Sequence, residues 1–388
     1  MKVFNLSNNR SPHNTSSSVG ILVVLSSSST DRYDIPAWMY LLMMEWISYA
    51  MSCVSLFGIT SNILIIVIYV KIGFGESINI SYCALAVSDA LYVTFVTWNA
   101  ICFIPAFTRL DLPFVPSQVV IPTSGASTDI FGQITAWITA WISLERCLCV
   151  MFPLKVRSFI TRKRTLLVIM AISLLIAVPL TSINVVFFVF KNTHDTRRNQ
   201  TLLKMFRRNV TSIDEVNNVY FVYKTIISNL LPLLIVMACA VYLTKQLQNS
   251  AKWRHGNAAL PYYENKKSIN QGDKVKKRKY NKDVRIAKTV LSIAVVFIFL
   301  GSLGVMRLLV TTMWSQFRPL GPYGRWYRLI ARLSLLFSQM NSSVNFIIYY
   351  NMGTKFRQAA NYMFFTKKAK SMETSGHFSL MAAPSNKP

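Results

Sequence analysis

Acidic residues are scarce in this chain. Its 388 residues include 15 Asp and Glu against 42 Lys and Arg, which gives a formal charge of +27. Charged residues of both signs amount to 15% of the chain, whereas a soluble domain carries about a quarter. Hydrophobic residues make up 52%. This composition argues against an ordinary soluble domain and indicates a membrane protein.

Histidine is also rare, and the chain lacks internal repeats. The four histidines (His13, His194, His255 and His377) fall in predicted loops and tails, which excludes a histidine metal site within the membrane. A membrane enzyme would need a nucleophile, a set of metal ligands or paired catalytic carboxylates, so we expect that the chain is not an enzyme. The absence of repeats disfavours a transporter built from duplicated halves, and a seven-helix transporter is kept as a distant alternative.

Long apolar segments occupy most of the chain. Four of them contain no charged residue and three hold one charge or a charge pair, and each is long enough to cross about 30 Å of hydrocarbon as a helix. They are 46–70, 77–108, 130–154, 165–190, 225–244, 289–317 and 333–354. We therefore predict an all-α membrane protein, a bundle of seven transmembrane helices.

The distribution of Lys and Arg predicts the orientation of this bundle. The connections after the third and fifth segments, and the residues after the seventh, are strongly basic, whereas the connection between the second and third is nearly neutral. Because positive residues accumulate on the cytoplasmic side, we expect a multi-pass plasma-membrane protein with its amino terminus outside. Four glycosylation sequons agree with this, at Asn5, Asn14, Asn199 and Asn209. The basic excess then faces anionic membrane lipid, and no nucleic-acid partner is expected.

Four regions follow from this pattern. Residues 1–43 are Ser- and Asn-rich and predicted to be a disordered extracellular terminus. The transmembrane domain spans 44–353. In 354–366, Phe356 and the aromatic residues of 362–365 can face lipid while Lys355 and Arg357 face water, which predicts a short amphipathic helix on the inner membrane surface. Residues 367–388 are predicted to form a cytoplasmic tail.

Polar side chains recur within the apolar segments, where they are functional candidates by default. They are Asn62, Asp89, Thr135, Asn341 and Asn345. A buried carboxylate among amide and hydroxyl oxygens can hold a small hard cation such as Na⁺. The alternative is a hydrogen-bonded network that joins the helices. Both interpretations stay open.

The order of short motifs resembles the rhodopsin-like (class A) G-protein-coupled receptors over residues 44–366. The matching motifs are Asn62, "LAVSD" ending at Asp89, "ERC" at 145–147 with Pro153 downstream, Pro232, and "NFIIY" from Asn345 to Tyr349. Each motif alone is weak, but together, each on its proper segment, they are highly specific.

Several departures from the family pattern are informative. The tryptophan of the fourth span is missing, and the Cys-Trp-x-Pro motif of the sixth is replaced by a segment with Gly301 and Gly304, which either supply flexibility or allow close helix approach. No cysteine occurs in 103–146 or 191–217, so the family's outer disulfide cannot form and the long outer loop is expected to be less constrained. These features resemble divergent invertebrate receptors of chemosensory and neuropeptide type.

The resemblance implies a receptor that activates a heterotrimeric G protein. Glu145 would hold Arg146 at the cytoplasmic mouth of the bundle, where the pair stays partly hydrated, and Asp283 is a second candidate partner. Outward movement of the sixth helix would free Arg146 and open a cleft for a G-protein helix, while Tyr349 fills the vacated space. The alternative is a salt bridge that merely anchors helix ends.

A ligand pocket is expected at the outer end of the bundle. Its predicted residues are Trp98, Thr128, Asp129, Gln133, Arg307, Arg332 and Gln339. Thr128 stands where amine receptors of the family carry an aspartate, and Gln339 where opsins carry a lysine, so an amine ligand is disfavoured and a light sensor is not expected. The arginines suit an anion or extend to lipid headgroups. A small chemosensory molecule and a neuropeptide both remain candidate ligands.

Overall fold

The computed structural model describes residues 34–152, 160–195, 200–207, 219–220, 222–258, 271–314, 316–319 and 321–366. Several sequence predictions fall outside these residues. They concern most of the terminus 1–43, the tail 367–388, Pro153, and the four sequons at Asn5, Asn14, Asn199 and Asn209.

Seven long helices account for most of the described residues. They are α1 Ala37–Ile72, α2 Ser77–Ile101, α3 Ala126–Met151, α4 Arg162–Phe187, α5 Leu231–Ala258, α6 Gln271–Met313 and α7 Gly324–Met352. A helix at Pro116–Val120 and a π-helical turn at Ile121–Gly125 lead into α3, and a second π-helical turn, Lys224–Leu230, leads into α5. The predicted bundle of seven helices is confirmed.

Some helices extend well beyond the apolar segments. Helix α1 begins at Ala37 rather than 46, and α6 begins at Gln271 rather than 289. In α1 the added residues 37–44 are themselves apolar, and the predicted segment began at 46 because Glu45 interrupts the charge-free run. In α6 the added residues are rich in Lys and Arg, which are good helix formers and continue the helix beyond its apolar part. Helix α2 is shorter than predicted because the chain turns at 102–104 and forms a separate short helix, Pro105–Thr108.

The helices pack around α3, which contacts α2, α4, α5 and α6. Helix α7 lies against α1, α2 and α6 and completes the bundle. The largest core cluster contains Ile65, Ile138, Ile142 and Leu243, all buried. Large apolar side chains such as Leu56, Leu175 and Phe299 instead point outward. Such a surface suits hydrocarbon, in agreement with a multi-pass membrane protein.

Within the described chain, six helical stretches are long and apolar enough to cross a membrane, and they lie in α1 to α6. Helix α7 is less apolar because its buried face is polar. Ser334, Gln339, Ser342, Ser343 and Asn345 are all buried there. These side chains point into the bundle, so the low mean hydropathy of α7 reflects an internal polar contact surface.

A β-hairpin joins α4 to α5. Strands β1 Phe188–Asp195 and β2 Gln200–Arg207 are antiparallel, with Phe188 opposite Arg207. The hairpin is fastened to the loop before α3, because the Leu203 amide donates to the Pro113 carbonyl at 3.2 Å. All six cysteines are free. Backbone pairing thus constrains a loop that we expected to be less constrained.

Helix α8, Thr354–Asn361, follows α7 after Gly353 and packs on α1 and α7. A π-helical turn, Tyr362–Thr366, continues it. Phe356 is buried against the bundle, whereas Tyr362 is exposed. The Lys355 ammonium lies 3.1 Å from the Glu76 carboxylate, at the entry to α2.

Candidate functional site

At one end of the bundle Glu145 and Arg146 form a buried ion pair. The Arg146 Nη2 donates to Glu145 Oε1 at 2.7 Å. The same carboxylate accepts hydrogen bonds from Ser77 Oγ at 2.7 Å and Ser81 Oγ at 3.3 Å, both on α2. The Glu145 side chain is fully buried, whereas that of Arg146 is 14% exposed. The expectation that both charges stay hydrated is therefore wrong for the carboxylate, which exchanges water for two hydroxyls and a guanidinium.

An aromatic cluster lies beside this pair. The ring of Tyr349 on α7 is 4.7 Å from that of Tyr82 and 5.7 Å from that of Phe356, between ring centroids. Tyr69 from α1 contacts all three rings. The Tyr349 and Tyr82 hydroxyls are buried and have no hydrogen-bond partner in the described part of the chain. The ring contacts of the cluster join α1, α2, α7 and α8.

A polar network centred on Asp89 lies within the bundle. Asp89 Oδ1 accepts from Thr135 Oγ1 on α3 at 3.0 Å, and Oδ2 accepts from Asn345 Nδ2 on α7 at 2.8 Å. Ser88 Oγ lies 2.9 Å from Thr135 Oγ1. Three residues predicted from separate segments, Asp89, Thr135 and Asn345, therefore meet directly.

The other two predicted polar residues lie near this network but do not contact Asp89 in any described hydrogen bond. Asn62 Nδ2 donates to the carbonyls of Gly58 and Ser342, both at 2.9 Å, and so joins α1 to α7. Its Oδ1 is buried and has no hydrogen-bond partner among the residues that the structure describes. Asn341 lies on the wall of a cavity between α3, α5, α6 and α7. The network therefore joins the helices.

The Asp89 carboxylate and the Thr135 hydroxyl are oxygen donors of the kind that a small hard cation prefers. The Asn345 amide turns its Nδ2 towards Asp89, so its oxygen would reach such an ion only after the amide rotates. Elsewhere in the described residues, no group of three or more His, Cys, Asp and Glu side chains is placed to hold a metal ion.

A large cavity enters the bundle between α3, α5, α6 and α7. It contains about 880 Å³ of empty space, its open mouth included. Leu233, Phe297, Val305 and Leu308 supply apolar wall, and Asn341 and Ser342 line it on α7. Thr135 also lines it, so the cavity extends to the network around Asp89.

The charged residues on the cavity wall are Asp129, Lys224 and Arg307. Lys224 forms an ion pair with Asp129 and lies 5.7 Å from the centroid of the Tyr220 ring. The Arg307 Nη1 donates to the Tyr327 hydroxyl at 3.0 Å, with the guanidinium above that ring. Asp129 is thus neutralised within the protein.

Four of the seven predicted pocket residues line this cavity, namely Thr128, Asp129, Gln133 and Arg307. The other three are not on its wall. Trp98 Nε1 donates to Thr123 Oγ1 at 2.9 Å, and Arg332 binds Asn99 and stacks on the Phe103 ring. Gln339 faces α1, where its Nε2 donates to the Met51 carbonyl at 3.0 Å and to Ser55 Oγ.

Sequence reasoning missed Lys224. The predicted fifth segment begins at 225, one residue later, because the apolar criterion ended at the lysine. The sequence did contain a signal, because Lys224 and Asp129 have opposite charges and each directly precedes an apolar segment. Recognising the ion pair required knowing that these two helices are neighbours.

Gly301 and Gly304 lie on the cavity wall. A Cβ atom at either position would have no neighbour within 4 Å. Close helix approach therefore does not require glycine at these positions. Of the two interpretations of this pair, the structure disfavours close approach.

Arg146 also has an alternative predicted partner, Asp283. The backbone of Asp283 belongs to α6, but its side chain lies outside the described part of the chain. Its pairing with Arg146 stays a prediction.

Comparison with known proteins gives a family and a fold. Residues 61–349 match the family model described as "7 transmembrane receptor (rhodopsin family)". No curated protein sequence matches the chain. The crystal structure of squid rhodopsin is similar, with a TM-score of 0.60 and 16% sequence identity, over 90% of this chain and 94% of that one. At this identity the likeness to squid rhodopsin concerns the fold alone.

Proposed function

Because the chain belongs to the rhodopsin family of seven-transmembrane receptors, we propose that it binds an extracellular small molecule and activates a heterotrimeric G protein. The ligand enters the outer cavity. Its wall combines apolar side chains with a few polar and charged groups, as the walls of small-molecule sites do.

The observation that carries the proposal is the buried pair of Glu145 and Arg146. Separating a buried charge pair is costly, because each charge is then left buried without its partner. The intact pair therefore defines a discrete closed state. Glu145 ties Arg146 to α2 through Ser77 and Ser81. Release of Arg146 makes a cation available to a G-protein helix.

The polar network couples the cavity to this inner end. Asp89 binds α3 through Thr135 and α7 through Asn345, and Thr135 also lines the cavity. A ligand that moves α3 or α7 therefore changes hydrogen bonds at Asp89. Asp89, Thr135 and Asn345 would hold a sodium ion when one is bound, and its charge would neutralise the carboxylate.

Tyr349 supplies the second moving part. In the closed arrangement its ring packs among Tyr82, Tyr69 and Phe356, while its hydroxyl has no partner. A buried hydroxyl without a partner is costly, and rotation of Tyr349 into space vacated by α6 would let it reach polar groups there. This favours a switch over a static anchor at the inner end.

We propose a plasma-membrane location, with the amino terminus outside and the carboxy terminus in the cytoplasm. With this orientation we propose four regions: an extracellular terminus 1–43, a transmembrane domain 44–353, a surface helix 354–366 and a cytoplasmic tail 367–388. Helix α8 supports the surface position, because it follows α7 directly and packs across α1 and α7. Lys and Arg in the segments that connect the helices support the orientation.

For the ligand class, a dissolved small molecule of chemosensory type is preferred to a neuropeptide. The cavity lies between α3, α5, α6 and α7, where a small molecule can contact apolar and polar side chains of several helices at once. A neuropeptide is the second candidate, and expression in central neurons rather than in sensory epithelium would favour it.

The test is a ligand screen in cells that carry a promiscuous G protein. The full chain carries one epitope tag at each end, and we expect the amino-terminal tag to be stained on intact cells and the other only after permeabilisation. A library of small dissolved chemicals and short peptides should contain an activator of the G protein. Arg146→Ala should abolish the response at equal surface expression.

Arg357→Ala is the matched control, because Arg357 is an exposed arginine of α8. It should signal normally. A response that survives Arg146→Ala would contradict the switch, and two tags stained on the same side of the membrane would contradict the topology.

A further inference from the structure

Several buried polar atoms on the cavity wall have no hydrogen-bond partner among the described residues. They are Thr128 Oγ1, both amide atoms of Gln133, and Arg307 Nε. Thr128 is 4% exposed and Gln133 is 3% exposed. Buried polar groups are normally hydrogen-bonded, so an unpaired set on one cavity wall indicates the groups that a ligand must supply. The wall offers both donors and an acceptor.

The charges on this wall do not balance. Lys224 and Asp129 neutralise each other, which leaves the charge of Arg307. The described ion pairs do not include Arg307, whose hydrogen-bond partner is the neutral hydroxyl of Tyr327. The wall therefore carries one positive charge in excess, which attracts a monoanion and repels an amine.

Arg307 is held within the bundle and does not extend to lipid headgroups. The Tyr327 hydroxyl binds its Nη1 at 3.0 Å, and the Tyr327 ring lies 5.5 Å from the guanidinium carbon. Tyr327 in turn packs edge-on against Phe317 at 5.6 Å. These contacts hold the guanidinium at the cavity, where its Nε–H is buried and has no hydrogen-bond partner in the described ranges.

Apolar residues of the same helix share the cavity wall with this charge. Phe297, Val305 and Leu308 line the cavity from α6, the helix that carries Arg307. We propose that the cavity binds an organic carboxylate, with its negative charge against Arg307, its apolar body against α6, and its further polar groups on Thr128 and Gln133. This inference rests on the proposed function, since it names the ligand class of that receptor.

The test measures binding without a G protein. The full chain, purified in detergent, is heated in the presence of two sets of compounds, and within each set only the polar head group differs. One set is hexanoate, hexanamide and hexylamine, and the other is phenylpropanoate with the corresponding amide and amine. We expect the carboxylates, but not the amides or amines, to raise the unfolding temperature in a saturable way.

Arg307→Gln should weaken carboxylate binding about 10- to 100-fold, because one charge-assisted hydrogen bond is lost. Arg307→Lys keeps the charge and should retain part of the binding, which separates a charge effect from a folding defect. Asp129→Asn should strengthen binding, because it removes the only negative charge on the described cavity wall.

Arg328→Gln is the matched control. Arg328 lies near the start of α7, one residue after Tyr327, and its Nη1 donates to the Pro319 carbonyl at 2.8 Å. It does not line the cavity. Its replacement should leave carboxylate binding unchanged.

The proposal is overturned if an amide or amine stabilises the protein as well as its carboxylate does, if Arg307→Gln binds the carboxylates normally, or if no carboxylate binds. Carboxylate binding without any G-protein response would support this inference and contradict the proposed function alone.

Discussion

Replacing Glu145 by Gln removes a charge from the closed state with little change in shape. The carboxylate accepts from Arg146 at 2.7 Å, from Ser77 at 2.7 Å and from Ser81 at 3.3 Å, and it is fully buried. The Gln amide keeps one oxygen for the serines but loses the ionic partner of Arg146. The closed state is therefore weakened selectively.

The size of the effect follows from the bond that is lost. A hydrogen bond to a charged group contributes about 1.5–3 kcal/mol, which corresponds to roughly a 10- to 100-fold shift of the equilibrium. If on the order of 1% of wild-type molecules are open without ligand, the variant should contain about 10–50% open molecules. Ligand-free signalling should rise accordingly.

The assay is ligand-free nucleotide exchange on a promiscuous G protein, normalised to surface expression. Glu76→Gln is the control, because Glu76 precedes α2 at the same end of the bundle and pairs with the exposed Lys355 at 3.1 Å. A surface pair of this kind contributes at most about 1 kcal/mol, so basal activity should stay near the wild-type value. Equal basal activity in Glu145→Gln and wild type would refute the argument that this pair maintains the closed state.

Three further predictions concern α6, α1 and α7. Asp283→Ala should raise ligand-free signalling if Asp283 also holds Arg146, and unchanged basal activity at equal surface expression would reject that pairing. Gly58→Ala should lower the unfolding temperature, because its Cβ would collide with Ser343 and cost about 1–3 kcal/mol, whereas Gly301→Ala meets open space and should not lower it. Asp34→Ala should lower the free energy of unfolding by about 1 kcal/mol, measured by thermal unfolding, because it removes a cap at the start of α7. The Asp34 carboxylate accepts from the Arg325 amide at 2.8 Å and from the Trp326 amide at 3.2 Å. An unchanged melting temperature would show that this cap does not stabilise the protein.

Part of the candidate site was predictable because its motifs are local. Asp89 stood out as a lone acid in an apolar helix, and Glu145 with Arg146 as a charge pair in another. The cost of burying such groups makes them visible without any knowledge of their partners. Their partners were harder to predict, and the serines that bind Glu145 were not among the predicted residues.

Other pocket residues were misplaced for a geometric reason. A residue near the end of a helix can face the cavity, a neighbouring helix or lipid, and hydropathy does not distinguish these directions. Arg332 and Gln339 turn towards α2 and α1, whereas Arg307 faces the cavity. The rotation of each helix about its axis depends on packing with its neighbours.

The amino-acid sequence by itself determined that the chain forms a bundle of seven membrane helices, because each segment must satisfy its own backbone hydrogen bonds in hydrocarbon and does so as a helix. It also determined the family, through motifs that are each confined to one helix. The tertiary structure decided what depends on residues far apart in the chain: the ion pair of Asp129 with Lys224, the excess charge of Arg307 on the cavity wall, and the hairpin joined to the loop before α3. These contacts depend on how helices pack and rotate against one another, and no local pattern encodes that arrangement.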